Sequence, residues 1–345
     1  MRLTLGRIAA ALNRCQGRHS VKTRQDARVA VLLATYNGAR FIEAQIRSLR
    51  DNAVRFTLHW LDDHSTDDTR DIVRATARDL GLELQEWHQP ARLRLPGAFF
   101  QLLECVAADI YCFCDQDDIW QPGKIDATVA DLLPQLTEPV LCFSDSLMFY
   151  DDEPGVFRRV SEVFGSKPSR ALQASRLFMT LIAPGHTQGF TRPLRDLYLQ
   201  HKETARAYAR SHDGWMYLIA HASGSARMLS NVPTALYRQH GGNVTSSLLS
   251  RRGKRFDNSA LTWRQQQSLR RLVARHAQGF ILASPTLPPG QKLEHLVALA
   301  RRIATLDRRQ SPAALVNLIR RHAMWPNRRW AAGFAAACLW SDATT

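Results

Sequence analysis

In the first third of this chain, apolar runs of strand length repeatedly stop at polar turns, and apolar residues at helical spacing follow. Ala30-Val31-Leu32-Leu33-Ala34 ends in Thr35-Tyr36-Asn37-Gly38, after which Phe41, Ile42, Ile46 and Leu49 recur with a helical period. The run Phe56 to Leu61 ends in Asp62-Asp63-His64-Ser65-Thr66-Asp67, and Ser65 or Thr66 is placed to cap a helix whose apolar face holds Ile72 and Val73. Leu82 to Trp87 leads through an irregular basic segment, Pro90 to Pro96, into a helical stretch, Phe99–Ala107. Such alternation predicts βαβ units and a parallel sheet covered by helices on both faces.

The fourth run, Ile110-Tyr111-Cys112-Phe113, passes directly into Cys114-Asp115-Gln116-Asp117-Asp118-Ile119-Trp120-Gln121-Pro122. Three carboxylates then stand at the carboxyl end of a buried strand, where open α/β sheets bind their ligands. Carboxylates this close repel one another and need a counter-charge. A hard divalent cation, Mg²⁺ or Mn²⁺, supplies one through oxygen ligands. Solvated Asp residues in a turn are the structural alternative.

Downstream, Asp126 to Leu136 reads as a helix and Pro139 to Tyr150 as one strand-like stretch that includes Asp145. Gly185-His186-Thr187-Gln188-Gly189-Phe190 reads as a Gly-flanked polar turn, followed by a helix from about Pro193. His212-Asp213-Gly214-Trp215 opens an apolar helix, a strand covers Ala226–Leu229, and Tyr237-Arg238-Gln239-His240-Gly241 follows.

Charge divides the chain. Residues 1–28 carry a net +6, residues 29–250 a net −4 and residues 251–345 a net +13. An ordinary, slightly acidic domain thus lies between cationic ends, which suit an anionic surface, membrane or nucleic acid. From about Ser250 helical segments carry Arg pairs, and Trp325, Trp330, Phe334 and Trp340 gather near the end. That composition fits an interfacial amphipathic helix, or else a helical subdomain with solvated Arg and packed Trp. No segment reaches the roughly 18 consecutive apolar residues that span a bilayer, and Met1 to Ala11 is read as a basic amphipathic stretch rather than a signal peptide. Cys15, Cys105, Cys112, Cys114, Cys142 and Cys338 show no metal-site spacing and read mainly as buried free thiols in a reducing compartment.

Taken together, the segments Val31 to Gly38, Leu61 to Asp67, Asp115 to Ile125 and His212 to Trp215 resemble a family 2 glycosyltransferase of the GT-A fold. Within that family the chain is most similar to bacterial rhamnosyltransferase-like members, whose Tyr-Arg-Gln-His-Gly segment matches Tyr237 to Gly241. The resemblance covers about residues 28–247. It implies an α/β, Rossmann-like mixed sheet with helices on both faces, here with a basic N-terminal segment (1–27), a GT-A domain (28–249) and a basic helical C-terminal extension (250–345).

The resemblance also implies the site. Thr35 and Tyr36 would meet the nucleobase, and Asp63, with Asp62 beside it, would accept from the base N3–H. Asp115 and Asp117 would meet the metal and ribose, with Asp118 a further candidate. Asp213 would be the general base, or an N-cap of its helix. His240 would contact metal or phosphate, or else bond loop backbone; His186 reads as a structural histidine, and Asp67 and Asp68 as helix N-terminal acids. His64 departs from the Gly or Asn common in the family, and Gln188-Gly189 from its bulkier acceptor-side residues.

The implied reaction is inverting transfer of a sugar, on the rhamnosyl likeness L-rhamnose from dTDP-L-rhamnose, to a glycan or lipid-linked oligosaccharide. It would occur in the cytoplasm, at the inner face of a bacterial plasma membrane. A UDP- or GDP-sugar is the alternative donor. A nucleic-acid-binding protein is disfavoured by the acidic centre and the lack of a nucleic-acid fold signature. An inactive carbohydrate-binding relative is disfavoured by intact Asp115, Asp117 and Asp213.

Overall fold

Strand β1 (Val29–Thr35) is apolar along nearly its whole length because it lies inside a sheet covered on both faces. Ala30 and Leu32 enter one core; Val31 and Leu33 enter the other. The computed structural model describes residues 26–153, 155–163, 183–230, 232–240 and 263–304. The chain continues through α1 (Ile42–Ser48), β2 (Thr57–Asp62), α2 (Thr69–Asp79), β3 (Glu83–Trp87), α3 (Arg94–Cys105) and β4 (Ile110–Cys114). β2 and β4 pair with β1 in parallel, and β3 with β2. These are the predicted βαβ units, though α3 begins at Arg94 rather than Phe99.

Next come β5 (Ile119–Trp120), α4 (Lys124–Leu132), β6 (Leu141–Ser144), β7 (Leu147–Tyr150), β8 (Arg158–Arg159) and α5 (Val160–Val163). They are followed by β9 (Gly189–Thr191), α6 (Arg192–Gln200), α7 (Lys202–Tyr208), α8 (His212–Ala222), β10 (Ala226–Ser230) and β11 (Ala235–Gln239), then α9 (Trp263–Ala283) and α10 (Gln291–Ala304). A seven-stranded sheet has the order β10-β6-β9-β4-β1-β2-β3, and a four-stranded sheet the order β5-β11-β7-β8.

The large sheet is mixed, because β9 runs antiparallel between β4 and β6. The βαβ alternation alone predicts a parallel sheet; it misses β9, which is three residues long and begins inside the Gly-flanked turn. Gly189 is required there. A Cβ at this position would lie 2.2 Å from Thr128 Cγ2, because α4 packs directly on the strand.

The single strand-like stretch Pro139 to Tyr150 is in fact two strands in two sheets, broken at Asp145. The buried Asp145 carboxylate accepts from Ser146 N (2.9 Å), Ser161 N (3.2 Å) and Ser161 Oγ (2.7 Å), which holds the chain in its turn. The core does not end at the expected boundary near residue 250. Val273, Ala277 and Phe280 of α9 and Leu296 and Ile303 of α10 are fully buried in the core that holds Trp215 and Leu218 of α8. Burying one such large side chain is worth about 2 kcal/mol, so these helices are a substantial part of what stabilises the domain.

Cys112, Cys114 and Cys142 are buried free thiols as expected, whereas Cys105, at the end of α3, is exposed. The N-terminal residues 1–25 and the aromatic group Trp325, Trp330, Phe334 and Trp340 lie outside the described residues. Among the described residues no helix is long and apolar enough to cross a membrane.

Candidate active site

The loops after β1 and β2 are tied into one unit. Asn37, in the left-handed region at φ +48°, donates from its backbone N to Ser65 Oγ (2.9 Å) and accepts at Oδ1 from Thr66 N (2.8 Å). Gly38 N donates to Thr69 Oγ1 (2.8 Å) and Ala39 N to Asp67 Oδ2 (3.1 Å). Asp67 therefore joins the loops as well as standing near the start of α2. Asp62 accepts from Thr35 Oγ1 (3.0 Å), Ser65 N (2.8 Å) and Arg70 Nε (2.7 Å). Burial pushes its carboxyl upward, but the bonds from Ser65, Arg70 and Thr35 outweigh that and hold it below the usual carboxylate range.

His64 also lies in the left-handed region, at φ +66°, a conformation that favours Gly or Asn. An L-residue with a Cβ costs roughly 1–2 kcal/mol in this conformation, partly offset in glycine by about 0.5–1 kcal/mol of unfolded-state entropy. His64→Gly is expected to stabilise the fold by about 0.5 kcal/mol. The check is an increase in the urea midpoint with unchanged slope; a lower midpoint would show that the exposed imidazole contributes more than its backbone costs.

Tyr36 is gripped by the Gln116 side chain. Tyr36 N donates to Gln116 Oε1 (2.8 Å), and Gln116 Nε2 donates to Tyr36 O (3.2 Å). Gly38 lies under the same amide: a Cβ there would sit 2.5 Å from Gln116 Oε1. The Arg92 guanidinium covers the Tyr36 ring at 3.3 Å from its centroid. Asp63 is buried and accepts from Leu93 N (2.6 Å) and Arg94 N (2.7 Å), so it anchors the basic segment before α3. The role implied for Asp63 at the nucleobase would thus be shared with this anchoring.

The acids after β4 meet partners from distant parts of the chain. Asp117 Oδ2 lies 2.8 Å from His240 Nε2, whose ring packs on Phe41 at 4.4 Å. Asp118 is fully buried; Arg238 N donates to its Oδ1 (3.1 Å), while Arg238 Nε donates to Asp117 O (2.9 Å). The Arg238 guanidinium also pairs with Asp151 and lies against Phe149. His186 Nδ1 is 3.0 Å from Asp118 Oδ2 and 3.8 Å from Asp115 Oδ2, and its ring stacks on Tyr237 at 4.9 Å. The expected set of Asp115, Asp117 and His240 therefore lies beside a second set: Asp115, Asp118 and His186.

The electrostatics show what these acids require. Burial, then the charges of Asp117 and Asp213, push the Asp115 carboxyl up to about 8. Burial, then Asp117 and Asp115, raise Asp118 well above the usual range. Burial, then the nearby Lys124 charge, lowers His186 to about 3, so its imidazole is neutral at physiological pH. Asp118 Oδ2 is buried without a hydrogen-bond partner. A buried carboxylate oxygen without a donor, in a cluster of repelling acids, fits a divalent cation.

Asp213 occupies the first turn of α8 and is 7% exposed. It is not the N-cap. Ser211 caps the helix by accepting from Gly214 N (3.2 Å), which frees the Asp213 carboxylate to face Gly185. Asp213 accepts from Gly185 N at Oδ2 (3.0 Å) and from Gly214 N at Oδ1 (2.7 Å). Burial raises its pKa, but His212, the Ser211 hydroxyl, Gly214 N–H and Arg210 together bring it below the ordinary carboxylate value.

Segment 183–188 joins the two ends of the site. His186 N–H bonds Asp115, Gly185 N bonds Asp213, and Gln188 Nε2 donates to Asp213 O (3.0 Å) and Ala183 O (2.7 Å). Sequence reasoning missed Gln116, His186 and Arg238 as site residues. Arg238 was within a quoted motif, and Gln116 inside the acidic cluster itself; only their long-range partners disclose what they do.

The family model for glycosyl transferase family 2 matches residues 30–197, the span from β1 through the acids after β4 to α6. That match covers a little under half of the chain. Over 233 residues it is 26% identical to the dTDP-rhamnosyl transferase RfbG of Shigella flexneri, covering 64% of this chain and 76% of that one. An uncharacterized glycosyltransferase of Nostoc sp., alr2836, is 27% identical over 103 residues, 30% of this chain and 32% of its own length. Among solved structures, S. aureus TarS 1–349 in complex with UDP-GlcNAc superposes with a TM-score of 0.54 at 15% identity, covering 90% of each chain. The mannosyltransferase PcManGT from Pyrobaculum calidifontis, in complex with GDP-Man and Mn²⁺, gives a TM-score of 0.51 at 18% identity, covering 98% of this chain and 95% of that one. This chain spans 42% of a longer TarS chain. The mixed sheet with its flanking helices is the GT-A fold, and the protein is a glycosyltransferase.

Proposed function

We propose that this glycosyltransferase moves L-rhamnose from dTDP-L-rhamnose to a hydroxyl of a bacterial surface polysaccharide or lipid-linked oligosaccharide, with inversion and with a divalent cation. The observation that carries the mechanism is segment 183–188, which bonds the Asp115 and Asp213 carboxylates through neighbouring backbone N–H groups. That arrangement supports a diphosphate end at Asp115 and an acceptor end at Asp213, joined by one short segment. The rhamnosyl donor is supported by the likeness to a dTDP-rhamnosyl transferase.

Tyr36, with its backbone fixed by Gln116, offers a ring for the base, and Thr35 and Asp62 brace the loop beneath it. Asp115 and Asp117 would hold the cation, with His240 beside Asp117. When bound, such an ion supplies counter-charge to the departing diphosphate. Asp213, ionised at neutral pH, takes the proton from the acceptor hydroxyl as its oxygen bonds the anomeric carbon. The bond to the diphosphate oxygen breaks with its electron pair leaving on dTDP. With one base and no carboxylate placed as a facing nucleophile among the described residues, this single displacement inverts the anomeric centre.

The test is a thermal-shift screen of dTDP-rhamnose, UDP-hexoses and GDP-mannose, each with Mn²⁺ or Mg²⁺. A donor at 100 times its Kd adds roughly 2.7 kcal/mol to the native state. The largest shift is expected for dTDP-rhamnose with metal; a larger shift with UDP- or GDP-sugars would reassign the donor.

The basic C-terminal region would hold the enzyme near a lipid-borne acceptor. Full-length protein is expected to co-sediment with anionic vesicles at low salt, each Lys or Arg near the surface contributing roughly 1 kcal/mol. The variant carrying Arg320→Gln, Arg321→Gln, Arg328→Gln and Arg329→Gln should sediment far less. Equal sedimentation of both proteins would remove the membrane role from these arginines.

A further inference from the structure

We propose that His276, on α9, is a positioning residue for Asp213: by accepting from Arg210 N it fixes the short link between α7 and α8 that aims the Asp213 carboxylate. This rests on the reading of Asp213 as the general base. It goes beyond that reading because it makes α9, which lies outside the span of the family match, part of what the base needs. Three residues, Ala209-Arg210-Ser211, connect α7 to α8. A link that short has no ladder of its own, so its backbone must find partners elsewhere. Ala209 N closes α7 on Ala205 O (2.8 Å), and Arg210 N donates to His276 Nδ1 (3.2 Å), 66 residues away in the chain.

His276 grips this link from two directions. It is 2% exposed, and its ring meets the Trp215 ring edge-on at 5.7 Å. Arg210 precedes Asp213 and Trp215 follows it, so one imidazole touches the chain on both sides of the carboxylate. To accept at Nδ1, the imidazole must be neutral and carry its proton at Nε2. Burial, then the Arg210 charge, lowers its pKa to about 3, which keeps it neutral at physiological pH. Gly279, one turn further along α9, brings the helix backbone against the last residue of α7. A Cβ there would lie 2.3 Å from Tyr208 Cβ and 3.4 Å from the Trp215 ring.

The link carries the groups that set Asp213. Ser211 caps α8 through Gly214 N, and the Ser211 hydroxyl and the Arg210 charge are among the influences that hold the Asp213 carboxyl below its ordinary value. A shift of the link therefore moves the cap, the first turn of α8 and the bond from Gly185 N to Asp213 together. Packing alone does not require an imidazole here. An apolar side chain fills a core position as well, whereas His276 brings an acceptor to the one link that leads into Asp213.

The experiment compares full-length His276→Phe, His276→Asn, Asp213→Asn and the His276→Phe, Asp213→Asn double variant. Phe keeps a ring beside Trp215 and removes the acceptor; Asn returns an acceptor oxygen close to the Nδ1 position. Amide hydrogen exchange is read by mass spectrometry. Turnover is read as release of dTDP from dTDP-L-rhamnose to water with Mn²⁺, alongside dTDP titrations. In His276→Phe, exchange should quicken in peptides spanning 208–214 and 183–188 and stay unchanged in β1 and β4. Its kcat should fall roughly 10-fold or more, with dTDP affinity held within about 2-fold. His276→Asn should recover most of both. In the Asp213→Asn background the Phe change should cost less than about 2-fold, because a residue that acts through the base has nothing left to position. Fully additive losses, or unchanged kcat and unchanged exchange at 183–188 in His276→Phe, would overturn the proposal and leave the base reading standing. Undiminished kcat in Asp213→Asn would sink both. Should release to water be too slow to follow, exchange decides: protection kept at 183–188 in His276→Phe overturns the proposal, and protection lost there supports it. Should His276→Phe not fold, Gly279→Ala, whose methyl must displace Tyr208, takes its place with the same expectations.

Discussion

Asp213→Asn is expected to lower kcat by about 10²–10⁴-fold, the range of a lost general base, while donor affinity stays within a few-fold. On the proposed reading the carboxylate belongs to the acceptor end, so its loss should appear in the transition state and hardly at all in donor binding. Asn keeps the shape and one acceptor oxygen, so the bond from Gly185 N can persist and α8 keeps its Ser211 cap. The pH profile supplies a second reading. The folded pKa of Asp213 is depressed, so the base stays ionised from neutrality down through the ordinary carboxylate range, and this group alone produces no fall in kcat above about pH 4. The stability linked to the same shift is present above the unfolded pKa and is lost as pH falls through the lower, folded value. Equal losses of donor affinity and turnover in Asp213→Asn would make this residue a donor-site or structural group.

Asp115→Ala and Asp117→Ala are expected to abolish transfer, with losses of about 10³-fold or more if the counter-charge to the diphosphate is removed. Both should retain the fold and lose metal-dependent donor binding. Asp115 also carries a signature in the metal-free protein. Its carboxyl is pushed up to about 8, so the folded state holds this proton more tightly than the unfolded chain does. Its contribution to stability is full below the unfolded pKa and is lost as pH rises towards 8. In excess chelator the wild-type melting temperature should therefore fall across that window, and Asp115→Asn should fall less. Metal affinity should rise with pH over the same window, because binding displaces the proton. Near-normal turnover of Asp117→Ala in excess chelator would remove the metal from the mechanism.

The sequence made the strands and their ends legible because burial and turn chemistry are local properties. β1, β2 and β4 announce themselves as apolar runs, and their polar terminations coincide with the loops that form the site. What it concealed was pairing at long range. β9 is too short for any periodicity and owes its place to α4 packing on Gly189. Pro139 to Tyr150 looked continuous because a buried Asp with its own hydrogen-bond donors leaves no hydropathy break. His186 looked like a loop histidine for the same reason: nothing near it in the sequence shows that Asp118, at the end of another strand, will stand 3.0 Å away. The expected edge near residue 250 followed a real change of charge, but charge is a surface property and the apolar faces of α9 and α10 continue the core beneath it.

Synthesis runs from the amino end, and the acidic cluster leaves the ribosome long before its partners do. Arg238, which fixes Asp118 and Asp117, is 120 residues downstream of the first and 121 of the second, and His240 is 123 beyond Asp117. A nascent chain that has already paired β1 with β2 and β4 thus holds its carboxylates without those counterparts until β11 has emerged. The cluster is completed late in biogenesis, and a chain released early from translation carries the acids after β4 without the closing strand, β11, that fixes them.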